Sequence, residues 1–111
     1  MFDVKTRWAT YKDCYVTVDK YRATGATAIQ IWNETEGPIA TLTVCLPQYV
    51  RMDGDDRYTF LDTNNFPEGE DVVVENGLGE MTGDFGFSGY CAYPVVKLNM
   101  DAVNAHVRGG V

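Results

Sequence analysis

The residues best suited to chemistry in this chain are carboxylates. Asp53-Gly54-Asp55-Asp56 sets three acids within four positions, a composition that suits a calcium loop. An EF-hand loop, however, needs Gly at its sixth position and Glu at its twelfth. Counted from Asp53, those positions hold Tyr58 and Asn64, so the stretch reads as a solvated acidic turn. Asp62-Thr63-Asn64-Asn65 gathers more oxygens and reads as side chains that hold a turn and cap a following helix. Gly77-Leu78-Gly79-Glu80-Met81-Thr82-Gly83 has phosphate-loop composition but matches neither G-x-G-x-x-G nor G-x-x-x-x-G-K-[ST]. It follows a predicted helix instead of opening one, and Glu80 and Asp84 would repel a phosphate.

Nucleophilic catalysis has little to work with. His106 is the sole histidine, and a lone histidine so close to the end of the chain is expected to be solvated. Without it no Ser-His-Asp or Cys-His arrangement forms. Paired carboxylates of the glycosidase kind are allowed by residue type, but 111 residues leave little room for a deep cleft. Cys14, Cys45 and Cys91 are widely spaced and form no CxxC pair, which argues against a zinc site. They are expected to be reduced thiols, at least two of them buried. No cofactor and no metal is expected, and the chain is expected not to be an enzyme.

Charge is the most informative pattern. Ten of the sixteen acids lie between Asp53 and Asp84, with Arg57 the only base there, so that stretch carries -9. The remainder has six acids against eight bases, or +2, for a total of -7. A segregated negative stretch repels phosphates and attracts basic protein surfaces. Lys5, Arg7, Lys12, Lys20 and Arg22 gather beside Trp8, Tyr11, Tyr15 and Tyr21, but Asp3, Asp13 and Asp19 largely cancel them. Direct nucleic-acid binding is therefore not expected. Phe85 and Phe87, in a glycine-rich stretch, are expected to fold back into the core, the alternative being that they anchor an interface.

These residues need elements to carry them. Cys14 to Asp19, Thr27 to Trp32 and Pro38 to Leu46 alternate with the period of half-buried strands and predict an antiparallel meander. Val4 to Tyr11 is expected to be a further strand, and Tyr58 to Leu61 a short one. A short helix is predicted over 67–76, with Pro67 near its start and Gly77 as its stop. Gly77 to Gly89, with five glycines, reads as loop. Tyr90 to Leu98 returns to strand, at a sheet edge or a bulge because Pro94 lacks an N–H. Met100 to Arg108 suits a second short helix capped by Asp101, and the first few residues and 108–111 are expected to fray. The architecture expected is a single α+β domain spanning 1–111: one antiparallel sheet of five or six strands with one or two short helices packed on it. The first residues lack the apolar stretch of an export signal, and no apolar run is long enough to span a bilayer, so a cytoplasmic location is expected.

The segments Ala-Thr-Leu-Thr-Val-Cys-Leu-Pro (40–47), Asp-Thr-Asn-Asn-Phe-Pro (62–67), Glu-Asn-Gly-Leu-Gly-Glu-Met-Thr-Gly (75–83) and Ser-Gly-Tyr-Cys-Ala-Tyr-Pro (88–94) resemble the domain-of-unknown-function family numbered 4313. The resemblance spans roughly residues 14–98 and departs from the family at Gly69 to Val74, where a better helix former is expected. It implies a setting in gut bacteria and their plasmids or other mobile elements, and it supplies no activity and no functional residues. Together with the charge pattern it suggests an acidic protein-binding module of a mobile element. Such a module would cover a basic surface of a host protein, with an anti-CRISPR or anti-restriction inhibitor as the concrete form. The residues expected to touch the partner are Asp53, Asp55, Asp56, Glu68, Glu70, Asp71, Glu80 and Asp84, with Phe85 and Phe87 as anchors. The alternatives are a self-associating accessory domain, a homodimer included, and a small carboxylate- or metal-dependent enzyme.

Overall fold

The structure, a computed structural model, describes residues 2–22, 24–46 and 57–107. Its elements run β1 (Phe2–Lys5), β2 (Thr10–Lys20), β3 (Thr27–Asn33), β4 (Gly37–Thr41), β5 (Thr43–Val44), β6 (Tyr58–Leu61), α1 (Gly69–Glu75), β7 (Gly79–Ser88), β8 (Cys91–Leu98) and α2 (Met100–Ala105). The strands form two four-stranded antiparallel sheets, ordered β1-β2-β3-β4 and β5-β6-β8-β7. The expectation of a single sheet is thus corrected.

The division falls at Leu42, inside the run read as one strand from Pro38 to Leu46. Leu42 donates its N–H to the Ile29 carbonyl in β3, and its own carbonyl accepts the N–H of Asp62, just past β6. The chain therefore leaves one sheet and enters the other within a residue. Burial explains the switch, because the alternating residues serve two cores. Leu42 belongs to the large cluster, whereas Leu46 packs with Phe60, Tyr93 and Val95 in a separate one. Threonine hydroxyls stitch the seam. Thr43 Oγ1 accepts from the Ile29 N–H at 3.0 Å and shares a 2.8 Å hydrogen bond with the Tyr21 hydroxyl. Thr59 Oγ1 donates to the Thr27 carbonyl at 2.9 Å. All three threonines are buried, so each polar group needs such a bond.

The large core draws Val16, Ile29 and Ile31 from the first sheet and Leu61, Val96 and Leu98 from the second. Val72 and Val73 of α1 and Val103 of α2 complete it. Helix α1 forms despite its glycine and three valines because Val72 and Val73 are buried, each contributing about 1.5–3 kcal/mol. That exceeds the propensity deficit of a few tenths per residue. Its end is a Schellman motif: Leu78 N–H bonds the Val73 carbonyl and Gly77 N–H the Val74 carbonyl.

Three further expectations change. Val4 to Tyr11 is not one strand, because Thr6 folds the chain back. Its N–H donates to the Ala9 carbonyl at 2.8 Å, and its Oγ1 accepts from the N–H groups of Trp8 and Ala9. The glycine-rich stretch after α1 is not loop but β7, ten residues long. Gly86 is there because the Phe60 ring presses on it; a Cβ would clash with that ring and stand 2.9 Å from Leu46 Cδ1. Gly83, at φ +87°, sits in the bulge between Met81 and Phe85. Pro94 lies opposite Phe85 at that bulge, in the central strand β8, where pairing with β6 stops at Val95. The bulge, not a sheet edge, is what accommodates it. Finally, Asn99 and not Asp101 caps α2, its Oδ1 accepting from the Ala102 N–H at 3.3 Å. Among the described residues no helix is long and apolar enough to cross a membrane.

Candidate recognition surface

Helix α1 turns Val72 and Val73 inward, which leaves Glu70, Asp71, Val74 and Glu75 exposed. It packs against β7, whose Glu80 and Asp84 are exposed as well. Four of the predicted acids therefore lie on two neighbouring elements. The cross-strand register settles the fate of the phenylalanines. Gly86 pairs with Tyr93 on the face that covers Phe60, so Phe85 and Phe87, opposite Pro94 and Ala92, point the other way. They are 52% and 60% exposed, and Tyr90, in the two-residue turn beyond them, is fully exposed. Tyr93, by contrast, is buried.

Glu68 departs from the set. Its Oε2 accepts the Arg7 backbone N–H at 2.8 Å and lies 3.8 Å from Arg7 Nε, with the side chain 18% exposed. It ties the turn after β1 to the approach to α1 instead of facing outward, and it makes no cap hydrogen bond for the helix it precedes. Asp53, Asp55 and Asp56 lie outside the described residues. Glu80 faces Lys97 across the β7–β8 ladder. An open groove of about 630 Å³ beside it mixes Arg57 and Lys97 with Glu80 and Asp101, so the negative surface is not uniform there.

The groups a catalyst would need are placed elsewhere. His106 is not solvated as expected. Its ring meets the Phe2 ring edge-on at 4.8 Å, its Nδ1 is buried with no hydrogen-bond partner among the described residues, and burial lowers its pKa. Its carbonyl accepts the Val16 N–H, which docks the end of α2 on β2. Of the cysteines only Cys14 is fully buried, against the two expected; all three are free. Burial pushes the Cys14 thiol up, which makes it a poorer nucleophile. Among the described residues no group of three or more His, Cys, Asp or Glu is arranged to hold a metal ion. Sequence reasoning passed over two features. Trp8 is 86% exposed in the turn after β1, and a groove of about 650 Å³ runs beside it.

Two antiparallel four-stranded sheets joined at Leu42, with two short helices, define a β-rich α+β protein in which α1 and β7 carry exposed acids and β7 also carries exposed Phe85 and Phe87. Residues 15–111 match the family described as domain of unknown function DUF4313, and the chain belongs to that family. No curated protein and no solved structure matches it.

Proposed function

We propose that this protein is a non-enzymatic binding module whose acidic and aromatic surface on α1 and β7 covers a basic surface of another protein. One observation carries the reading. Residues 57–107 hold eight acids against two Lys or Arg, whereas residues 1–46 hold five against five. Carboxylates displayed where phosphates would sit compete with nucleic acid for Lys and Arg, and the contest is salt-dependent. Exposed Phe85, Phe87 and Tyr90 supply the apolar anchors that such contacts need for a slow off-rate. The concrete form is an anti-CRISPR or anti-restriction inhibitor, in keeping with the mobile-element setting that the family resemblance implies. The test is a tagged pull-down from host lysate at low and high salt with mass-spectrometric identification. A nuclease or CRISPR subunit held at low salt and released at high salt supports the reading; recovery of this protein alone contradicts it.

A second reading, self-association, is favoured by the place of β7 as an outer strand bearing exposed aromatics. Sedimentation without any partner tests it. A dimer that survives charge reversal at Glu70 and Asp71 would shift the weight to this reading.

A further inference from the structure

The groove beside Trp8 has features that the acidic surface does not explain. Its lining comes from the turn after β1 (Arg7, Trp8), from Tyr11 in β2, from Ile39 to Thr41 in β4 and from the segment Asp62 to Glu68. Its volume of about 650 Å³ lies within the range of ligand clefts. Asp62, in its lining, is only 8% exposed. The Asp62 carboxylate accepts the Asn65 backbone N–H at 3.4 Å and the Asn65 side-chain amide at 3.0 Å. It has no ion-pair partner among the described residues. A carboxylate offers about four acceptor positions, so roughly two remain after Asn65. A buried charge is costly without a counter-charge, and only a cation supplies one. The lining holds two acids, Asp62 and Glu68, against one base, Arg7, so a single positive charge would neutralise it.

The shape of that cation follows from the walls. Trp8 and Tyr11 offer aromatic faces, which attract cations and stack best with a planar one. Ile39, Phe66 and Pro67 offer apolar surface suited to a methylene stem. A guanidinium presents paired N–H groups that match the two open positions of a carboxylate, whereas an ammonium is a compact point charge. We propose that this groove receives the guanidinium of an arginine side chain presented by a partner protein. This inference rests on the reading that the protein binds a basic partner, and it names the residue type taken at one place.

The experiment titrates short capped peptides into the full chain: Gly-Arg-Gly, Gly-Lys-Gly and the neutral citrulline analogue. NMR follows the Trp8 indole and the Asn65 amide. Arginine is expected to give saturating shifts at both, lysine to bind several-fold more weakly, and citrulline to leave both in place. Asp62→Asn should weaken arginine binding about tenfold or more, the worth of a charged hydrogen bond. Because Asp62 is buried, Trp8→Ala serves as a second variant at an exposed position and should also weaken binding several-fold. Equal shifts with arginine and citrulline would overturn the proposal, as would wild-type affinity in both variants. Methylguanidinium binding more tightly than the peptide would overturn the assignment to a protein partner. The titration needs no host protein. Its failure beside a successful pull-down would remove the groove and leave the acidic surface standing, and the reverse pairing would remove only the latter.

Discussion

The first sheet and the second were built under different constraints. In the first, β2 and β3 pair in unbroken register from Cys14–Asn33 to Lys20–Thr27, and its segment is electrically neutral, with five acids against five bases in residues 1–46. In the second, β7 is bulged, Gly86 is pressed by Phe60, β5 is two residues long, and its segment carries the excess acids. The first sheet is held by local alternation. The second joins the local β7–β8 hairpin to β6 and β5 by pairings between residues far apart in sequence, and its β7 displays Glu80, Asp84, Phe85 and Phe87. Both sheets carry register shifts, at β1–β2 and β3–β4 in the first and at β7–β8 in the second, so the clearest difference between them is the charge of their segments, and substitutions can probe it.

The largest effect is expected where the sheets meet. Leu42 is fully buried at the crossing, and Leu42→Ala should cost about 3–4 kcal/mol by lost burial and the cavity left behind. Urea unfolding should still show one transition, because both sheets share the large core. Two transitions would mean that they unfold separately. Next come two glycines with opposite constraints. Gly86→Ala should cost about 2 kcal/mol through the clash with Phe60. Gly37→Ala, in the first sheet, meets no atom within 4 Å, and only its φ of +81° opposes it, so the cost should be about 1 kcal/mol. Thermal unfolding of the two variants compares them; equal losses would break the contrast between a glycine limited by space and one limited by backbone.

His106 predicts a pH effect of smaller size. Its folded pKa lies below the ordinary value of 6.5, chiefly through burial. The unfolded chain therefore takes up its proton first as pH falls. The stability from the neutral, docked imidazole is present above 6.5 and is lost as the pH drops through the folded value. Urea midpoints across that window should decline, and His106→Gln should flatten the decline. The smallest effect belongs to Asp13, the only non-glycine among the described residues with positive φ, +58°. It lies in the β2 stretch where the pairing with β1 shifts register. Asp13→Gly should raise stability by up to about 1 kcal/mol by relieving that conformation, measurable as a higher unfolding midpoint.

What could be read in the sequence depended on how far along the chain each signal reaches. β2 and β3 announced themselves through alternation, and α1 through Pro67 and Gly77, because those signals are carried within a few residues. The fold-back at Thr6 was hidden, since Val4 and Tyr11 pair with each other across it. The crossing at Leu42 was hidden because alternation reports which face a residue takes, not which sheet it joins. β7 was read as loop because glycine supplies the same letter for a flexible turn and for room under Phe60. On the surface, Glu70, Asp71, Glu80 and Asp84 were readable as exposed acids. Glu68 was not, because its partner Arg7 lies sixty-one residues away. Asp62 and Trp8 were missed as groove residues for the same reason: the groove is assembled by the tertiary fold from segments far apart in sequence.

The most direct test of the account reverses charge on each sheet's segment in turn and repeats the low-salt capture. Glu70→Lys with Asp71→Lys alters α1, and Asp19→Lys with Glu36→Lys makes an equal change in residues 1–46. The α1 pair should abolish capture of a basic partner, while the first-sheet pair should leave it intact. Loss of capture in both, or in neither, would contradict the claim that recognition resides in the acidic half.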